Sequence, residues 1–329
     1  MHDIAIIGAG RIGRIHSVNA ISEPRLAVKY IVDPVAKAAN ELAAATGASV
    51  ASLDEILADP AVAGVVVASS TDTHLQFSAA AIKEGKAVFC EKPIDLDLKT
   101  AKSAASTLDS GGARLFLGFN RRFDHNFLQL RERIQSGEMG ALETLHIISH
   151  DPSPPPIDYV RLSGGMFKDM TIHDFDMARW LLGDEPVEVY AAATAVVDPA
   201  IGEAGDVDTA KTLLRTSSGR ICVISNSRRS GYGYDQRIEA YCAKGLLRAG
   251  NVLSSTVETW SEDGPRSDAL QNFFLDRYAG AYRSEMAHFA DILDGATPLV
   301  GYRDGIAALA IAEAAMESHL ESRAVRIRY

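Results

Sequence analysis

Ile4-Ala5-Ile6-Ile7-Gly8-Ala9-Gly10-Arg11-Ile12-Gly13 opens the chain with an apolar run of strand length, followed by three glycines at G-x-G-x-x-G spacing. Apolar residues without polar alternation read as a strand covered on both faces. Gly8 permits the tight turn out of the strand, Gly10 lets a phosphate approach the backbone, and Gly13 lets the next helix lie close to the strand. Arg11, Ile12 and Gly13 begin that helix, whose first N–H groups suit a pyrophosphate. Asp33 closes the next strand, Tyr30-Ile31-Val32-Asp33, twenty positions beyond Gly13. An acid there accepts hydrogen bonds from ribose hydroxyls and repels a 2′-phosphate, which points to NAD over NADP.

Working outward, strand-length runs at 4–7, 27–32, 62–68, 87–90 and 115–118 alternate with helical stretches at 11–20, 35–46, 73–84 and 98–108. This alternation predicts a doubly wound parallel sheet, a Rossmann domain over 1–119. After Asn120 the rhythm changes. Helices at 126–136 and 167–182 precede strands at 187–197, 208–216, 220–226 and 237–243, joined by short turns. That half, 120–329, reads as an α+β domain for substrate binding and oligomerisation, with an open, mostly antiparallel sheet. Helices at 277–293 and 304–321 and a strand at 324–329 close it, the last helix able to pack back on the first domain.

The 329 residues suffice for two cores, and 47% hydrophobic with 23% charged residues is the balance of a globular enzyme. The net charge of −10, with basic residues scattered, excludes a nucleic-acid surface. No apolar run is long enough to span a membrane, and Met1-His2-Asp3 does not read as a secretory leader, so a cytoplasmic location is expected. Cys90, Cys222 and Cys242 lack CxxC spacing and lie in strand-like runs, which predicts core packing rather than disulfides or zinc.

Ligands of open α/β sheets bind at the carboxyl ends of strands. Two loops there carry polar groups. Ser69-Ser70-Thr71-Asp72-Thr73-His74 follows the 62–68 strand, and Cys90-Glu91-Lys92-Pro93 follows the next. The first is expected to contact cofactor through Ser69, Ser70, Thr71 and His74, and to cap the helix behind it. An ammonium at Lys92, beside a nicotinamide, could stabilise an alkoxide as hydride leaves. In the second half, Asp169, His173, Asp176 and Trp180 recur at helical spacing on one face, while Phe167, Met170, Ala178 and Leu182 form the stripe expected to face the core. Imidazole between carboxylates suits proton transfer near pH 7. Surface ion pairs would give the same spacing, and a metal is not expected without a third imidazole or thiolate.

Ile4–Gly13 taken with Glu91-Lys92-Pro93, Gly118-Phe119-Asn120-Arg121-Arg122-Phe123-Asp124 and Gly164-Gly165-x-x-x-Asp169-x-x-x-His173-Asp174 resembles the glucose-fructose oxidoreductase / inositol dehydrogenase family over nearly the whole chain. The resemblance implies NAD-dependent oxidation of a ring hydroxyl of a cyclic polyol, myo-inositol to 2-keto-myo-inositol above all. It implies catalytic roles for Lys92, Asp169 and His173, a cofactor contact at Glu91, and a cis peptide before Pro93. It further implies a polyol pocket lined by Asn120, Arg121, His150, Asp176, Tyr232 and Tyr234, and a homotetramer. Asp151-Pro152-Ser153-Pro154-Pro155-Pro156 departs from the Asn-containing stretch of some inositol dehydrogenases. Other readings on the same scaffold are a pyranose or anhydrosugar oxidoreductase, an NAD-dependent glycosidase and a non-catalytic NAD-sensing regulator.

Overall fold

The computed structural model describes residues 1–329, which divide into two compact units, Met1–Phe123 with Ala281–Leu309, and Asp124–Gly280 with Ala310–Tyr329. In the first unit, strands β1 (His2–Ile7), β2 (Leu26–Val32), β3 (Ser49–Val50), β4 (Val62–Val67), β5 (Ala87–Glu91) and β6 (Leu115–Gly118) form one parallel sheet in the order β3-β2-β1-β4-β5-β6. Helices α1 (Arg11–Ser22), α2 (Ala36–Thr46), α3 (Leu53–Ala58), α4 (Thr71–Lys83), α5 (Leu98–Ser103) and α6 (Ala105–Leu108) connect them. Ile4, Ile6, Val65, Val66, Val88 and Phe89 are wholly buried, which is why these strands are apolar without alternation. The short β3 and α3 carry too few residues to show a period, and they extend the expected five strands. The chain winds one way from β1 to β3 and then crosses to β4, so the strand order reverses between β1 and β4.

A single cut near Asn120 does not describe the packing, because Ala281–Leu309 returns to the first unit. Gly64 on β4 has no side chain, and a Cβ there would lie 2.8 Å from Phe289 Cζ and 3.1 Å from Leu293 Cδ2. The helix carrying these residues therefore rests directly on the sheet. Leu117 N–H of β6 donates to Val300 O (3.0 Å), covering the edge strand.

The second unit contains α7 (His125–Ser136), β7 (Leu142–His150), α8 (Ile157–Leu162), α9 (Met166–Asp169), α10 (Thr171–Leu182), β8 (Pro186–Thr194), α11 (Pro199–Glu203), β9 (Thr209–Thr216), β10 (Ile221–Ser227), β11 (Asp235–Cys242) and β12 (Gly245–Ala249). A hairpin of β13 (Glu258–Ser261) and β14 (Gly264–Ser267), then α12 (Phe274–Arg277), α13 (Ala279–Leu293), α14 (Tyr302–Glu321) and β15 (Val325–Arg326), complete the chain. Seven strands form a sheet in the order β12-β11-β7-β10-β9-β8-β15, antiparallel except for β7 beside β10. β7, central and parallel to β10, is absent from the sequence-based expectation, although Leu145, Ile147 and Ser149 alternate along it as a half-buried strand requires.

Register explains which face is covered. Val189, Leu214, Cys222, Leu145, Ala240 and Leu247 lie in one cross-strand row and are all buried. One residue along, Tyr190, Leu213, Val223, His146 and Glu239 form the opposite row, with Tyr190 44% and Leu213 40% exposed. Three expected helices are interrupted, at Met170, at Ala104 and at Tyr278. Helix α10 is also buried on most sides, so the expected split into one core stripe and one open face is not observed.

Candidate active site

The glycine loop fits a dinucleotide by its shape. Gly8 has φ +104°, and a Cβ on it would collide with the Ala68 carbonyl at the end of β4. A Cβ on Gly13 would strike the Gly8 carbonyl, so the first turn of α1 can lie this close to the loop only with glycine at that position. A Cβ on Gly10 would meet nothing within 4 Å, the opening a pyrophosphate needs. No side chain caps α1 at Gly10, and its helical bonding starts with Arg14 N–H to Gly10 O at 3.0 Å. A helix start without a side-chain cap is of the kind that receives anions. Asp33 accepts from Ala9 N–H through Oδ2 (2.7 Å) and from Val35 N–H through Oδ1 (2.8 Å). A carboxylate has about four acceptor directions, so capacity remains for ribose hydroxyls.

At the carboxyl ends of β4 and β5 the two expected loops are tied together. Ser69 Oγ shares a hydrogen bond with Thr73 Oγ1 (2.6 Å), which donates to Ser70 O at 2.7 Å. His74 is buried, with Nδ1 2.8 Å from Pro93 O and Nε2 3.2 Å from Ser69 O. Burial pushes its pKa down, which favours the neutral ring donating to Pro93 O. The side chain expected to contact cofactor thus fastens the Ser69 loop to Pro93. The Lys92–Pro93 peptide is cis. Glu91 Oε1 pairs with buried His16 Nε2 at 2.7 Å. Burial opposes ionisation of Glu91, but His16 and then Lys92 outweigh it and hold the carboxyl below its usual range. Asn120 and Arg121 are buried in the turn Asn120–Phe123 after β6, and Asn120 Oδ1 has no hydrogen-bond partner.

In the second unit, Gly164 and Gly165, both at φ +82°, turn the chain into α9. Asp169 ends this helix, and His173 enters α10 with its N–H on Met170 O at 3.3 Å. Asp169 Oδ1 accepts from Tyr159 O–H (2.8 Å), and Oδ2 lies 3.8 Å from Arg228. Asp174 is wholly buried and accepts from Asn226 Nδ2 at 2.7 Å, anchoring α10 to the sheet. Asp176 is also buried, 3.8 Å from Arg179.

Asp169 and His173 thus share one short segment. His150 and Tyr232 each have a hydrogen-bond partner of their own within the unit. His150 Nε2 bonds Ser225 Oγ (2.9 Å), which also accepts from Lys211, on the face of the sheet that carries His146. Helix α10 is anchored on the other face, through Asn226. Tyr232 O–H donates to Asp235 Oδ2 (2.6 Å), and both line a cleft of about 410 Å³ with Arg237 and Asn251. Burial opposes ionisation of Asp235, yet Arg237, Tyr232 and Asn251 hold it below the usual range. Tyr234 packs edge-on against Tyr278 at 6.1 Å. Tyr159, Asp206, Arg228, His16 and Glu285 escaped the sequence reading. Only Glu285 left a signal, an acid between Tyr282 and Phe289 on the apolar stripe of α13.

Residues 2–119 match the model described as "Oxidoreductase family, NAD-binding Rossmann fold", and residues 127–248 match the GFO/IDH/MocA C-terminal domain. The chain belongs to the GFO/IDH/MocA family. This member is an NAD-dependent oxidoreductase, and the family's cofactor agrees with the glycine loop and Asp33. The GFO/IDH/MocA chain is 45% identical over 325 residues to the inositol 2-dehydrogenase of Rhizobium meliloti (strain 1021), covering 98% of each. Its fold matches a myo-inositol dehydrogenase of Corynebacterium glutamicum (TM-score 0.95, 40% identity, 100% of this chain and 99% of that one). It also matches a scyllo-inositol dehydrogenase of Lactobacillus casei solved with NAD(H) and scyllo-inositol (TM-score 0.92, 26% identity, 99% of each chain).

Proposed function

We propose that this oxidoreductase oxidises a ring hydroxyl of a cyclic polyol, with myo-inositol as substrate and 2-keto-myo-inositol as product. The observation that carries the reading is identity of 45%, extending over 98% of both chains, with an inositol 2-dehydrogenase. When bound, NAD⁺ accepts the hydride from the carbon being oxidised. Neutral His173 takes the hydroxyl proton. Lys92 donates a hydrogen bond to the same oxygen while negative charge builds on it. Asp169 accepts from a ring hydroxyl and sets the orientation of the polyol, with Asn120, Arg121, Asp176 and Tyr234 supplying further polar contacts.

The test is NADH formation at mildly alkaline pH with myo-, scyllo- and D-chiro-inositol and D-glucose, repeated with NADP⁺. Myo-inositol with NAD⁺ is the expected best pair. Preference for D-glucose would move the reading to a pyranose dehydrogenase, and silence with every polyol would overturn it.

The same proposal takes the working form to be a cytoplasmic homotetramer. Supporting it are the three buried free cysteines and the sheet face on which Tyr190, Leu213, Tyr241 and Leu246 are all exposed. Four large side chains exposed on one sheet face are suited to cover by a second copy of the chain.

A further inference from the structure

We propose that Arg228 is a positioning residue for the oxidation, a buried guanidinium that acts through Asp169 by fixing the direction in which its carboxylate is presented. The inference rests on the reading above, in which Asp169 meets the polyol. Arg228 is 1% exposed, one of the largest side chains buried in the molecule. Its NH2 lies 3.4 Å from Asp206 Oδ2 and 3.8 Å from Asp169 Oδ2, while its Nε has no hydrogen-bond partner.

Each end of this arrangement is anchored. Arg228 N–H donates to Asp208 O (2.8 Å), and the Asp208 carboxylate gathers the N–H groups of Val196, Val197 and Asp198 at 3.1, 2.9 and 2.9 Å. Asp206 Oδ1 accepts from Met166 N–H at 3.0 Å and lies 2.9 Å from where a Gly165 Cβ would stand. Asp206 therefore holds the start of α9, and Arg228 holds the carboxylate at its end.

Stability alone does not account for a cation here. A buried ion group with an unmatched donor is costly, and apolar replacements of whole buried ion sets are often neutral or stabilising. What the charge supplies is direction. With Oδ2 drawn inward to Arg228, Oδ1 is the oxygen turned toward Tyr159, a residue 48% exposed whose hydroxyl now donates to it. A polyol hydroxyl can take the place of that donor, because both offer the same O–H.

The test compares Arg228→Met/Asp206→Asn with Arg228→Lys. The double variant removes cation and neighbouring anion together, leaving no unpaired charge between them, and the side-chain amide introduced at position 206 keeps an oxygen for Met166 N–H. Turnover is expressed per titrated NAD⁺ site, so misfolded molecules are not counted. We expect the double variant to bind NAD⁺ as the parent does and to lose about 100-fold in kcat, the scale of a misplaced reacting group, with KM for myo-inositol moving far less. Arg228→Lys should recover about tenfold of that loss, since it restores the charge without the fork. A double variant with parental kcat, a loss confined to KM or to NAD⁺ affinity, or Arg228→Lys no better than the double variant would overturn the proposal. A parent inactive on every polyol would instead overturn the underlying assignment of Asp169, and the proposal with it.

Discussion

The Asp33 carboxylate accepts the Ala9 amide at 2.7 Å, so the acid closing β2 is pinned to the glycine loop that follows β1. It therefore stands in a fixed position beside that loop. Asp33→Ala should weaken NAD⁺ binding by about 10- to 100-fold, the effect of losing charge-assisted hydrogen bonds of roughly 1.5–3 kcal/mol. Discrimination against NADP⁺ should fall at the same time. Fluorescence titration with both cofactors measures this, and unchanged NAD⁺ affinity would contradict the role.

Gly10 and Gly13 should separate binding from folding. Gly10→Ala adds a methyl where no protein atom lies within 4 Å, so melting temperature should hold while NAD⁺ affinity falls. Gly13→Ala forces a methyl into the Gly8 carbonyl and should lower both. Thermal melts with cofactor titrations would expose an error if the two variants behaved alike.

His173→Ala should reduce kcat by about 100- to 10,000-fold, the range of a single proton-transfer group. NAD⁺ affinity should stay near that of the parent. A variant that turns over normally would remove His173 from the mechanism.

Glu285 gives a pH dependence of stability. Its carboxyl is wholly buried without a partner, and burial, with the charge of Glu91 added, raises its pKa well above the ordinary 4.5. The charged group acting on it is Glu91, itself paired with buried His16. The folded state keeps a proton that the unfolded chain releases, so this stabilisation is complete below pH 4.5 and is lost as pH rises toward the folded value. Relative to the parent, Glu285→Gln should gain up to about 1.4 kcal/mol per pH unit over that interval. Calorimetry at several pH values reads the slope, and a difference independent of pH would rule the account out.

Leu213→Lys places a charge in the middle of the uncovered sheet row, 40% exposed in the chain. Light scattering should show smaller assemblies than for the parent. A parent that is already monomeric at micromolar concentration would contradict the tetramer.

The first sheet was legible because its signals are local. A strand buried on both faces needs an unbroken apolar run, a phosphate loop needs glycines at set spacing, and the acid needs to close the next strand, so Ile4–Gly13 and Asp33 announce themselves within one βαβ unit. Lys92, Asp169 and His173 were legible as motifs, although the turn at Met170 and the burial around α10 were not. β7 went unread despite its alternation, because Ser149 occupies an inward position where an apolar residue would have completed the pattern.

Sequence by itself determined the parallel sheet, the cofactor loop and the chemistry-bearing residue types, since each is encoded in neighbours along the chain. Tertiary structure alone decided that Ala281–Leu309 covers the first sheet, that His150 sits beside Ser225, and that Arg228 lies between Asp169 and Asp206. These depend on contacts between residues tens to hundreds of positions apart, where packing volume and charge compensation select the partner and local pattern carries no record of it.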